Sequence, residues 1–82
     1  MISVLFFAQL REQLGCDATE LAADTVKVAA DLVPALIAAQ PRWADVLHSK
    51  PWLVSVNQTM AKPATAIGDG DEVALFPPVT GG

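Results

Sequence analysis

Residues 1–8 (MISVLFFA) and 72–76 (EVALF) constrain the fold more than any other feature of the chain. Each is almost continuously apolar, carries β-branched or aromatic side chains and is too short for a stable helix, so both read as buried strands. Side chains alternate across a strand, so Ile2, Val4 and Phe6 point one way and Leu5 and Phe7 the other, while Val73 and Leu75 oppose Ala74 and Phe76. Both faces of the resulting sheet are apolar. A chain of 82 residues encloses one modest core, so one domain is expected and little material is left to cover a second face.

One main helix is available for that task. Val28, Leu32 and Leu36 recur at helical spacing beside Ala29, Val33 and Ile37, which gives an apolar stripe. Pro34 lies inside the stripe and removes a backbone donor, so the helix either starts late, with Pro34 in its first turn, or is kinked there. A start no earlier than Val28 is preferred. Pro41 ends the helix, and residues 42–49 (RWADVLHS) read as a short irregular turn packed through Trp43, Val46 and Leu47. Residues 9–14 (QLREQL) favour one or two helical turns stopped by Gly15, after which 17–22 extends again. Strand structure reopens over 52–56 and turns at 57–59; residues 60–66 read as a short strand and loop around Pro63. Gly68-Asp69-Gly70-Asp71 is dense turn chemistry ahead of the last strand. The element order is ββαβββ-like.

A hydrophobic fraction of 52% with 17% charged residues excludes a disordered chain. Nine acidic residues against five basic ones leave no stripe that could neutralise phosphates, which argues against nucleic acid and anionic membranes as partners. A basic pocket on another protein suits such a surface better. Cys16 is the only cysteine, so no intramolecular disulfide or cysteine-rich zinc site is expected, and the chain opens on a strand pattern rather than a secretory signal. No apolar run reaches the ~18 residues that span a bilayer. A cytoplasmic location is the expectation.

Two readings of the second apolar face compete. Either the short segments around Leu14 and Trp43 wrap it, or it is a docking surface formed by Phe7, Phe76 and Met60 at the end where the chain leaves the body. The tail favours docking. Pro77 and Pro78 cannot donate to a ladder, so pairing stops there and residues 79–82 leave as an extended tail of about 17 Å counted from Pro78 at ~3.3 Å per residue. Gly81 and Gly82 have no Cβ and can pass through a narrow channel, which leaves the terminal carboxylate as the group able to react. An α-carboxylate is anionic at neutral pH and resists nucleophiles until it becomes a mixed anhydride such as an acyl adenylate, so an ATP-using partner is implied. Once adenylated it can take sulfur to become a thiocarboxylate, or pass to a thiol and then an amine.

The segments MISVLFFAQLRE, VNQTM and GDGDEVALFPPVTGG resemble the small subunits of molybdopterin synthases, and the resemblance covers most of the chain. Its specific part is the Gly-Asp-Glu-Val strand leading into Phe76-Pro77-Pro78-Val79-Thr80-Gly81-Gly82. The resemblance implies an α+β, ubiquitin-like β-grasp fold: a mixed sheet of four or five strands on one main helix, with residues 1–78 as the domain and 79–82 as a flexible diglycine tail. It implies that Gly82 is adenylated by an adenylyltransferase related to ubiquitin activators and then thiocarboxylated. It further implies that Pro77, Pro78, Val79, Thr80 and Gly81 insert into a large subunit, within a heterotetramer of two small and two large subunits. There two rounds of sulfur donation to cyclic pyranopterin monophosphate build the molybdopterin dithiolene. Phe7, Met60 and Phe76 match the family's hydrophobic contact surface. The carrier binds no cofactor itself, ATP is used by the activating enzyme, and catalytic side chains belong to the large subunit.

Other residues read as ordinary. His48 has no carboxylate or cysteine at ligand spacing and is a surface residue, and Cys16 lacks basic neighbours that would activate its thiol. Asp69, Asp71 and Glu72 lack the remaining oxygen ligands of a calcium loop. Trp43 and Trp52 read as packing residues, with the edge of a partner surface as the alternative place for either. Three other functions stay open: a carrier for another pathway such as thiamine synthesis, a protein modifier forming isopeptide bonds to lysines, and a purely structural interaction module.

Overall fold

A computed structural model describes residues 1–78. Three short helices and five strands follow in the order β1 (Ile2–Phe6), α1 (Ala8–Leu14), β2 (Ala18–Leu21), α2 (Leu32–Ala39), α3 (Ala44–Leu47), β3 (Leu53–Val56), β4 (Thr59–Met60) and β5 (Glu72–Phe76). Without the minor helices α1 and α3 this is the expected ββαβββ order. The strands form one mixed sheet in the order β2-β1-β5-β3-β4, the β-grasp arrangement, in which the first and last strands lie side by side and parallel at its centre.

Local chemistry sets the helix boundaries. Gly15 adopts a left-handed conformation (φ 77°) and its N–H donates to the Arg11 carbonyl at 3.1 Å, which closes α1 as a C-terminal glycine does. A 3₁₀ turn over Ala29–Asp31 precedes α2, and the Asp31 carboxylate accepts the backbone N–H groups of Lys27 and Val28 at 3.0 and 3.2 Å. The helix therefore starts late, at Leu32, and Pro34 is its third residue. The N–H that Pro34 lacks would have had no intrahelical acceptor there, so proline costs no bond. Residues 42–49 are more regular than expected: a 3₁₀ turn over Pro41–Trp43 runs into α3. Strand character after the 57–58 turn is confined to Thr59 and Met60, and the loop from there to the last strand touches sheet geometry only at a Val28–Ala66 bridge.

All three helices pack on one face of the sheet. Ile2, Val4 and Phe6 of β1, together with Val73 and Leu75 of β5, share a buried cluster with Leu10 and Leu14 of α1, Leu32 and Leu36 of α2, Trp43 and Leu47. Phe6, 1% exposed, meets Trp43 edge to face with ring centroids 5.5 Å apart, a geometry that adds about 1 kcal/mol to the area both rings bury. The Trp43 indole N–H has no hydrogen-bond partner among the described residues, so packing alone holds that ring. Leu14 and Trp43 do not wrap the second face. They join the helix face, and no described element covers the other side of the sheet.

Candidate functional site

The last strand ends where the docking surface was expected. In the antiparallel β3–β5 ladder Leu53 lies opposite Phe76, and the register carried one residue further sets Trp52 opposite Pro77. In the parallel β1–β5 ladder Phe6 pairs with Leu75, which sets Phe7 beside Phe76, and the Phe7 N–H donates to the Leu75 carbonyl at 3.3 Å. Phe7 on one flank and Leu53 with Trp52 on the other thus bracket the point where Pro77 and Pro78 end the ladder. Trp52 is anchored: its indole N–H donates to the Leu47 carbonyl at 3.1 Å, and the Lys50 ammonium stands 5.8 Å from its ring centroid.

Side-chain alternation and the ladder registers define the uncovered face in rows. Nearest the exit is an aromatic and aliphatic row of Phe7, Phe76 and Leu53. Behind it run Ala18, Leu5, Ala74, Ser55 and Met60, and behind them Glu20, Ser3 and Glu72. Apolar character therefore concentrates toward the exit and carboxylates toward the far end. Phe7 is 46% and Met60 56% exposed, while Phe76 is half-buried between its neighbours. Phe7 and Phe76 are adjacent, but Met60 sits on the edge strand, two strand spacings or about 10 Å from β5. Leu53 and Ala74 fill the space between. Alternation in residues 1–8 and 72–76 already assigned Leu5 and Ala74 to this side. Leu53 was missed because its position depends on the register with β5.

Ala8 follows Phe7 in a left-handed conformation, φ 55°, which costs an alanine about 1 kcal/mol relative to glycine. The strained residue turns the chain out of β1 into α1 immediately after Phe7, leaving the phenyl ring at the rim of the apolar face instead of under the helix. Val79, Thr80, Gly81 and Gly82, the remaining expected site residues, lie outside the described residues.

The opposite pole is held by polar contacts. Asn57 and Gln58 both have positive φ (50° and 69°), the two-residue type I′ geometry that suits the twist of a hairpin. The Asn57 side chain accepts the Glu72 N–H at 3.0 Å and donates to Asp71 at 3.1 Å, tying this turn to the start of β5. Asp71 also accepts the Gly68 N–H at 2.8 Å, and these two bonds, the backbone one foremost, hold its carboxyl below the usual range. Asp69 pairs with the N-terminal ammonium, whose hydrogen bond first and charge second lower its pKa. Turn and terminus chemistry accounts for these acids. His48 is exposed and Cys16 half-buried, and among the described residues no group of three or more His, Cys, Asp and Glu is placed to hold a metal ion. Nor, among them, is any helix long and apolar enough to cross a membrane.

Comparison with known proteins agrees with this architecture. The ThiS family matches residues 4–82. The molybdopterin synthase sulfur carrier subunit of Escherichia coli (strain K12) is 54% identical over 82 residues, covering the whole of both chains. Among solved structures, SAMP1 from Haloferax volcanii superposes with a TM-score of 0.77 at 29% identity, covering 99% of this chain and 98% of that one. The fold also recurs, at TM-score 0.62 and 23% identity over 99% of this chain and 97% of that one, in a complex of subunits 1 and 2 of the molybdopterin-converting factor from Helicobacter pylori 26695. With nearly its full length matched, the chain belongs to the ThiS family, among relatives that are sulfur carrier subunits of molybdopterin synthase.

Proposed function

We propose that this chain is the sulfur carrier and small subunit of a molybdopterin synthase. The observation that carries the reading is the placement of the chain exit: β5 delivers Pro77 and Pro78 beside an uncovered apolar face formed by Phe7, Phe76 and Leu53. A partner seated on that face receives the tail directly. The full-length likeness to the Escherichia coli carrier supports the same assignment, as does the fold shared with a two-subunit complex.

The chemistry runs through Gly82. Its carboxylate oxygen attacks the α-phosphorus of ATP on an adenylyltransferase and releases pyrophosphate, giving an acyl adenylate in which AMP is the leaving group. A sulfide-equivalent nucleophile displaces AMP to give the thiocarboxylate. In the large subunit the thiocarboxylate sulfur bonds to a side-chain carbon of cyclic pyranopterin monophosphate as the C–O bond at that carbon breaks and its oxygen leaves, as water or as a freed phosphate-ester oxygen. A second water cleaves the acyl–sulfur bond, which restores the carboxylate and leaves sulfur on the pterin. Two loaded carriers supply the two sulfurs of the dithiolene, consistent with two small and two large subunits. Phe7, Met60 and Phe76 contact the partner, residues 77–81 occupy its channel, and the large subunit supplies the catalytic side chains. The carrier holds no cofactor and works in the cytoplasm.

Likeness to an archaeal modifier protein favours a second reading, attachment of Gly82 to lysines of other proteins. One measurement separates the two: intact mass after incubation with the adenylyltransferase, ATP and a sulfur source. A gain of about 16 Da, oxygen replaced by sulfur on an otherwise unreactive carboxyl, establishes the carrier, and large subunit plus pterin should then reverse it. Higher-mass conjugates instead establish the modifier, and an unchanged mass with a competent enzyme overturns both.

A further inference from the structure

The open edge of β2 has no part in the proposed function. Antiparallel ladders alternate hydrogen-bonded and non-hydrogen-bonded pairs, and the Phe6 N–H bonded to the Asp17 carbonyl at 3.0 Å sets the phase. Thr19 and Leu21 accordingly bond to β1, while Ala18 and Glu20 direct their N–H and C=O groups away from the sheet. No hydrogen bond among the described residues takes these groups up. Along the same edge, on the helix side, lies a cleft of about 590 Å³ floored by Leu21, Pro34, Ala35 and Ala38 and flanked by Asp31, while alternation puts the Glu20 carboxylate on the other side of the strand, at the border of the uncovered face. Helix α2 carries short side chains on the face turned to this edge, which leaves room for the inward side chains of an added strand.

Charge decides the occupant. Pairing two copies of this edge would bring the Glu20 carboxylates together in a chain of net charge −4, the device by which natural edge strands resist self-association. Glu20 on one side of this edge and Asp31 on the other attract lysine or arginine. We propose that the β2 edge and its cleft bind an extended segment of another protein, apolar on alternate residues and flanked by basic ones, by strand addition. Main-chain bonds to Ala18 and Glu20 supply affinity, the cleft selects the inward side chains, and the carboxylates of Glu20 and Asp31, one on each side of the edge, select the basic residues. The site lies at the opposite edge of the sheet from β4 and meets the uncovered face only at its border, at Ala18 and Glu20, across the sheet from Leu53 and Met60. A protein held there leaves the docking face and the chain exit free, so the chain can be tethered while its terminus is in use.

The test is a nuclear magnetic resonance titration of the ¹⁵N-labelled full chain with the synthetic peptide Lys-Lys-Val-Thr-Val-Thr-Val-Lys, blocked at both ends, against the same peptide with glutamate in place of lysine. The basic peptide should shift the Ala18 and Glu20 amides downfield and slow their hydrogen exchange. Exposed positions provide variants that keep the fold: Ala38→Arg, which fills the cleft, should weaken binding at least about tenfold, and Glu20→Lys about threefold, as for one exposed charge pair. Unchanged Ala18 and Glu20 amides, equal binding of the acidic peptide, or shifts confined to Leu5 and Phe76 would overturn the proposal. Shifts that grow with protein concentration in the absence of peptide would overturn it in favour of a second copy.

Discussion

Neighbouring phenylalanines at the end of β1 separate stability from docking. Phe6 is 1% exposed and Phe7 46% exposed, although they adjoin in sequence. A phenylalanine side chain presents roughly 200 Å², so Phe7 leaves about 90 Å² available to a partner. At about 25 cal/mol per Å², burying that remainder in a complex contributes about 2 kcal/mol, a factor of about thirty in Kd. Phe7→Ala should therefore weaken the complex with a molybdopterin synthase large subunit about thirtyfold by titration calorimetry, while the denaturant midpoint of the isolated chain moves little. Phe6→Ala removes the ring that meets Trp43 and should cost about 3–5 kcal/mol of stability. That is a large share of the roughly 5–15 kcal/mol a domain has, so the urea transition of this variant should collapse. Loss of more than about 1.5 kcal/mol in Phe7→Ala with affinity unchanged would show that the ring belongs to the core, and would remove the argument for the face.

Asn57 should be irreplaceable by a non-hydrogen-bonding residue: Asn57→Ala loses two side-chain bonds and incurs left-handed strain, about 2 kcal/mol together, whereas Asn57→Gly recovers only the strain. Equal unfolding midpoints for the two variants would contradict this division. Ala8→Gly should raise the melting temperature by several degrees, as relief of about 1 kcal/mol does in a domain of this size, and a lowered value would mean the turn is not strained. Asp69 and Asp71 have folded pKa values below their ordinary ones, so they contribute stability present above about pH 4 that is lost as pH falls through their folded values. Urea midpoints measured from pH 6 to 2 should drop below that point, and the drop should be shallower in Asp71→Asn; an identical slope would show that Asp71 titrates as it does when unfolded.

Much of this was legible in the residues themselves, for identifiable reasons. The bounds of β5, the stop at Gly15 and the late start that accommodates Pro34 all follow from local chemistry: an apolar alternating run, a left-handed cap and a missing donor. Parity within one strand also separated Ile2, Val4 and Phe6 from Leu5 and Phe7 before any partner strand was known. What escaped was non-local. The side on which Leu14 and Trp43 pack depends on how the chain crosses over the sheet, and period 2 carries no such information. Leu53 joins the docking face only through its register with Phe76. Ala8 gives no warning of a positive φ, because alanine in a run of helix formers is the residue least expected to adopt one.

The same strand builds core and site. Val73 and Leu75 of β5 fill the buried cluster, Ala74 and Phe76 lie on the uncovered face, and Pro77 follows at once. Because side chains alternate with a period of two, slipping β5 by one residue against β1 and β3 would turn Val73 and Leu75 out to solvent and push Ala74 and Phe76 under the helices. The buried pair therefore holds the register that keeps Phe76 beside Phe7 and Leu53 and sets the height at which the prolines leave the sheet. Packing on the helix face is in this sense what aims the chain exit. It also explains how a domain too small to cover both sides of its sheet can do without the second cover: one face suffices for folding, and the other, continuous with the exit, is left for a partner.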